Sequence, residues 1–314
     1  MKKFNSNLAA LCGFALLGTV LTLSSCSSDA EEVLNPSAPS VPQTVRYAPV
    51  RVQVNEFSMS MEDVPEAQTR AVKSPYDYSN VGAITLAFYD SAGTLVCDST
   101  QIKTIPTTFD TFGDFSLLVP VGDYTMVVIA RDSIENDVFT LTSPTVAAFT
   151  SEKVRETFCH TQAVSITSTT ALDLSVTLTR CVSQLSVTST DPRPNGVDRI
   201  RTTFGAGGKR FNPTTGLAID NTGFSVYTSP SKPVGNTVGY KNLAFLATDE
   251  QTMTITLEVL DEDDNVLITK EIPNVSLKRN RKTILRGPLF TPSASAASFV
   301  LETSWLSDHT INFN

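Results

Sequence analysis

Histidine and tryptophan are the scarcest chemistry in this 314-residue chain: it has two histidines, His160 and His309, and one tryptophan, Trp305. The histidines are far apart and neither belongs to an H-E-x-x-H or related spacing, so metal-assisted hydrolysis has no framework. No G-x-S-x-G elbow and no recognisable scaffold of paired carboxylates is present either, which removes two further hydrolase classes. Gly205-Ala206-Gly207-Gly208-Lys209 lacks phosphate-loop spacing and places Arg210 where a magnesium-binding hydroxyl should stand, so a hairpin turn is expected there. Asp261-Glu262-Asp263-Asp264-Asn265 lacks the glycine and the closing glutamate of an EF-hand loop. Between the strand-like runs Thr256 to Leu260 and Val266 to Thr269, it is expected to be a solvated hairpin tip. No catalytic residue, cofactor or metal is implied, and the chain is not expected to be an enzyme.

Positive charge is also short. Twenty-four basic residues face 32 acidic ones for a net charge of -8, and no basic stripe interleaves with aromatics, which argues against a nucleic-acid partner. The longest apolar run, Leu8 to Leu23, is too short to span a bilayer comfortably. It follows Lys2 and Lys3 and closes on Leu23-Ser24-Ser25-Cys26, the pattern of a bacterial lipoprotein signal: residues 1–25 are removed and Cys26 becomes the lipid-bearing first residue. Loss of Lys2 and Lys3 leaves 22 basic residues and moves the net charge from -8 to -10. Contact with the outer membrane is therefore expected through the lipid alone. Cys97, Cys159 and Cys181 then remain, an odd number without C-x-x-C spacing, so at most one disulfide can form; their apolar neighbours favour buried thiols.

Residues 26–45 carry Pro36, Pro39 and Pro42 among Ser, Ala and Val and read as an extended linker. Beyond it the apolar period is two almost throughout. Strands are expected at Val50 to Met61, Ile84 to Tyr89, Thr94 to Val96, Phe115 to Val119, Tyr124 to Ala130, Ser165 to Thr167, Ala171 to Leu178 and Val182 to Val187. A second group covers Met253 to Leu260, Val266 to Ile272, Thr283 to Leu289 and Ser298 to Trp305. Asp90 to Gly93 and Pro120 to Asp123 read as hairpin turns, and Ser151 to Glu156 as the one helical turn. This census makes an all-β chain of antiparallel sandwiches, divided near Leu178 into residues 46–178 and 179–314.

Five stretches carry a resemblance to a known family. They are Val81 to Thr94, Leu118 to Val128, Leu178 to Leu185 (Leu-Thr-Arg-Cys-Val-Ser-Gln-Leu), Asn212 to Gly216 (Asn-Pro-Thr-Thr-Gly), and Val275 to Thr283 followed by Phe299 to Trp305. In order and spacing the chain resembles Bacteroidales type V fimbrial subunits of the fimbrillin and FimB-type group. Ser27 to Glu32 likewise resembles the acidic signal that sends Bacteroidota lipoproteins to the cell surface. The resemblance implies two tandem transthyretin-like Greek-key sandwiches and a structural place in a surface fimbria, joined to other subunits by donor-strand-type insertion. Stalk subunits of that family open their groove when an arginine-specific protease removes the first strand. Here Arg70-Ala71, in an expected exposed loop after the first strand, is the corresponding candidate cut, whereas an anchor subunit would keep the strand and the lipid. Both roles remain open at this point. The different class of reading is a surface glycan-binding lipoprotein or a pilus-tip adhesin; a lone Trp305 in a strand suits core packing better than a sugar platform.

The tether gives the first prediction. Cys26→Ala removes the only thiol at the cleavage point, so fatty-acid labelling of the protein should disappear and the chain should leave the membrane fraction; label persisting in the variant contradicts the lipoprotein reading.

Overall fold

The computed structural model describes residues 45–58, 74–133, 139–151, 153–292, 302–303 and 310–312. Cys26, Arg70, Ala71, Trp305 and His309 lie outside them. The strands in chain order are β1 (Tyr47–Ser58), β2 (Ala83–Tyr89), β3 (Leu95–Ile102), β4 (Asp114–Pro120), β5 (Gly122–Arg131), β6 (Phe139–Ser143) and β7 (Val146–Phe149). Then come β8 (Thr157–Ile166), β9 (Leu172–Arg180), β10 (Val182–Ser189), β11 (Arg199–Phe204), β12 (Arg210–Asn212), β13 (Leu217–Ala218) and β14 (Phe224–Thr228). The last are β15 (Gly239–Phe245), β16 (Glu250–Leu260), β17 (Val266–Lys278), β18 (Lys282–Gly287), β19 (Glu302–Thr303) and β20 (Thr310–Asn312). Helical structure among the described residues amounts to two short 3₁₀ turns, Pro75–Asp77 and Pro106–Thr108.

The fold is all-β and built of two tandem sandwiches, as expected. In the first, the strand order is β3-β2-β5-β8-β9-β1-β4, and β8 meets β9 only at Phe158↔Arg180 and Cys159↔Thr179. That narrow join lets the sheet fold over itself. Ile84, Leu86 and Phe88 of β2 and Met126 and Val128 of β5 thereby share one core with Val50 and Val52 of β1, Phe115 of β4 and Leu178 of β9. The second sandwich packs β15-β10-β18 with β19 and β20 against β14-β11-β16-β17, around Leu185, Ile200, Phe204, Leu257, Ile272 and Leu285.

A third cluster joins the two. All seven residues of β2 are buried, so its uninterrupted run Ala-Ile-Thr-Leu-Ala-Phe-Tyr is that of a strand covered on both faces. The second face presents Ala87 and Tyr89, with Val127 and Ile129 of β5, to Phe149, Val182, Phe211 and Phe245. The Phe211 and Phe245 rings stack with centroids 4.3 Å apart. A small sheet of order β13-β12-β7-β6, with Phe211 opposite Ala147, draws its strands from both sides of Leu178.

Several expectations need correction. Not every pair is antiparallel: β1–β9, β10–β18 and β18–β20 run parallel, and in the first two the chain returns beside the first strand of its sandwich after a long connection. Asp90 to Gly93 is the expected hairpin turn, with Asp90 Oδ1 accepting from the Ala92 and Thr94 amides and Gly93 at φ 77°. Pro120 to Asp123 is not: β4 and β5 have different partners, and the link changes layer while the Tyr124 hydroxyl donates to the Pro120 carbonyl at 2.9 Å. Gly205 to Lys209 also carries the chain between sheets, from β11 to β12, and is no hairpin. Its glycines are required by close backbone approach, since a Cβ on Gly207 would stand 2.6 Å from the Phe245 carbonyl oxygen. The described residues around Glu152 form no helical turn; Glu156, just before β8, instead reaches a buried partner.

That partner is Arg180, the last residue of β9. Its Nε donates to Glu156 at 2.6 Å, its Nη1 donates to Asn280 Oδ1 at 3.0 Å, and its guanidinium lies 4.9 Å from the centre of the Phe158 ring. Both side chains of the ion pair are 7% exposed, so its charges are removed from water and hold each other. Burial, the largest influence, pushes the Glu156 carboxyl above its ordinary 4.5, while the charge and hydrogen bond of Arg180 pull it back. A raised folded-state value means that the stability contributed by this group is complete below the unfolded value and is lost as pH rises through the folded one. Arg180→Ala should therefore cost about 3–5 kcal/mol in urea unfolding at neutral pH. The loss should shrink on acidification as Glu156 takes up a proton, and Glu156→Gln should abolish that pH dependence. Equal losses for Arg180→Ala across the acid range would show that the pair is not buried as described.

Candidate functional site

β1 occupies a slot. It is the first described strand, yet it lies in the middle of its layer, with β4 antiparallel on one edge and β9 parallel on the other. Rows of three side chains point inward: Leu117, Val50 and Leu172 form one, and Phe115, Val52 and Leu174 the next. Ala48, Val50, Val52 and Val54 keep strict alternation and are at most 2% exposed. An irregularity between Val54 and Glu56 then shifts the phase by one residue, so that Phe57 turns inward and pairs with Leu178. The Phe57 ring closes the end of the slot against Tyr78 at 4.5 Å and Phe158 at 4.8 Å.

The opposite face is polar. Arg51, Gln53, Asp114, Ser116, Asp173 and Ser175 are exposed there. The Arg51–Asp173 ion pair, 3.8 Å long with both side chains about 70% exposed, contributes little. What holds β1 is backbone pairing on two edges and apolar burial on one face, at about 1.5–3 kcal/mol for each fully buried side chain. Without β1, both β4 and β9 would present unpaired backbone groups on either side of an apolar floor, the arrangement that accepts an added strand.

The residues singled out in the sequence are dispersed. Cys26, Arg70 and Ala71 lie outside the described residues. His160, half-buried on β8, is within 2.9 Å of Gln162 through its Nε2, and His309 is not described. The Asp261 to Asn265 tip is the expected hairpin. Asp261 Oδ1 accepts from the Asp263 and Asn265 amides, and the Asn265 side chain donates to Oδ2, so these hydrogen bonds hold its carboxyl below the usual range. Among the described residues no group of three or more His, Cys, Asp and Glu is placed to hold a metal. Two features escaped the sequence reading. The partners of β1, on β4 and β9, could not be assigned because alternation says which face is buried and not which strand lies alongside. The approach of Cys159 to Cys181 could not be seen because no motif spacing announces a pair formed across two strands.

Solved structures similar to this chain are of low identity. A candidate adhesin from Bacteroides ovatus is 14% identical, with a TM-score of 0.48 over 72% of this chain and 82% of that one. A candidate polysaccharide-binding protein from Bacteroides thetaiotaomicron is 12% identical, with a TM-score of 0.45 over 71% of this chain and 79% of that one. The fimbrial anchor protein Mfa2 from Porphyromonas gingivalis is 10% identical, with a TM-score of 0.47 over 76% of this chain and 90% of that one. No curated protein matches the sequence. A family model does, over residues 49–309, from the strand that fills the slot nearly to the carboxyl end, and the chain belongs to that family, the family of unknown function DUF6562.

Proposed function

We propose that the protein is a structural subunit of a cell-surface fimbria with a role in adhesion, tethered to the outer membrane through a lipid on Cys26 and joined to other subunits by strand insertion into the first sandwich. The observation that carries this reading is the slot: a first strand paired on both edges and buried on one face, followed by a segment that contains Arg70. The lipoprotein signal, the net negative charge and the sequence resemblance to type V fimbrial subunits support it. The division into residues 46–178 and 179–314 is part of the same proposal.

The slot distinguishes two roles. A stalk subunit loses β1 on cutting at Arg70-Ala71 and takes a neighbour's strand in its place. An anchor keeps β1, its own lipid and a filled slot. A glycan-binding role draws less support: the exposed rings among the described residues are Tyr47 and Tyr76, and Tyr76 is already engaged by Phe112 and Lys103. The proposal assigns the protein no reaction.

Arginine-specific proteolysis followed by sizing tests the stalk role. Intact protein should remain monomeric because the slot is filled, and protein trimmed at Arg70 should polymerise. Arg70→Ala should block both trimming and growth while leaving unfolding free energy within about 0.5 kcal/mol, as for a surface substitution. Trimmed protein that stays monomeric with its natural partner subunits overturns the stalk role in favour of the anchor, whose first residue in cells is acylated Cys26.

A further inference from the structure

We infer that Cys159 and Cys181 are a disulfide site that staples the first sandwich to the start of the second. Cys159 lies in β8, and Cys181 is the single residue between β9 and β10. The antiparallel register sets Phe158 opposite Arg180 and Cys159 opposite Thr179, and the Cys181 amide donates to the Thr157 carbonyl at 2.9 Å. The two cysteines are therefore diagonal neighbours on one face of the pair, the face away from Phe158 and Arg180. Both are free thiols in the structure, yet their Sγ atoms are 2.8 Å apart, closer than sulfurs pack without bonding and near the roughly 2.05 Å of a disulfide.

Other uses of the pair fit less well. A structural zinc site needs four ligands, and among the described residues no third His, Cys, Asp or Glu joins these two. Cys97 packs against the first core from β3, whereas Cys159 and Cys181 belong to the cluster that joins the sandwiches, so Cys97 is the odd thiol. The site is also closed: Cys159 is 8% and Cys181 1% exposed, among Ala147, Val182, Phe211 and Phe245. Burial and the neighbouring sulfur push the Cys181 thiol well up, which suppresses the thiolate in the folded state. Oxidation therefore belongs to folding, before the cluster closes. The two thiols give up two electrons and two protons to a disulfide donor, either an oxidised dithiol partner protein or a small-molecule disulfide, which leaves as two thiols while the Cys159–Cys181 bond forms. Export through the expected signal puts the chain in a compartment where such donors act. The inference is independent of strand exchange.

The test uses full-length protein isolated from cells without reductant, unfolded in iodoacetamide and digested with trypsin. Peptides 156–180 and 181–199 should be recovered joined, unalkylated at both cysteines and two hydrogens lighter than their sum, and reduction should separate them. Cys97 should be alkylated throughout, and Cys97→Ala should leave the joined pair unchanged. Refolding with oxidised glutathione should produce the same link. The Cys159→Ala/Cys181→Ala variant should melt roughly 5–10 °C lower and lose the response of the parent to reductant. Alkylation of both Cys159 and Cys181 in protein from cells and after oxidative refolding, or a link from either to Cys97, overturns the inference.

Discussion

Pairing on both edges of β1 is the constraint on which the first sandwich depends. A sheet buried on one face and wet on the other can leave an outer strand unpaired, but a gap in the middle of a layer exposes two rows of backbone groups and an apolar floor together. Every other feature of the slot follows from filling that gap. The alternation from Ala48 to Val54 supplies the floor's missing side chains, the phase shift before Glu56 aims Phe57 at Tyr78 and Phe158, and Arg51 and Gln53 keep the outer surface wet. Any strand that completed such a sandwich in place of β1 would have to satisfy the same backbone groups and the same apolar floor.

Legibility in the sequence followed burial. Where one face is apolar and the other polar, as in β1 and β9, or where both are apolar, as in β2 and β5, the strands could be read and the all-β class followed. Where polar residues sit in the pattern, they could not: β8 begins at Thr157, but Thr161 and Gln162 interrupt its alternation and only its last residues were anticipated. The short strands β6, β7 and β11 to β15 were missed for a related reason, since segments such as Arg210–Asn212 exist only because Ala147 and Ala148 lie beside them. At the candidate site, the strand to be exchanged could be read from its own residues. The slot that receives it could not, because β4 and β9 are brought together by topology.

The junction after Leu178 concentrates several requirements in a few residues. Arg180 answers Glu156 and Asn280, Cys181 meets Cys159, and Val182 enters the cluster shared with Phe211 and Phe245. Successive side chains of an extended chain point to opposite faces, so Arg180 and Cys181 can serve a polar anchor and an apolar cluster without competing. The turn residue Asn280, at φ 58°, adds its own amide to the Val182 carbonyl and holds the far loop to the same point.

The parallel partner of β1 also sets an order of events in time. Asn55 and Ser175, which touch across β1 and β9, are 120 residues apart, so this edge of β1 cannot be paired until most of the first sandwich has been synthesised. Loop closure over that distance is costly in entropy and slow in rate. β1 can meet β4 sooner, but it is paired on both edges only when β9 arrives. The topology thus makes completion of the first sandwich a late event, set by its longest-range pairing.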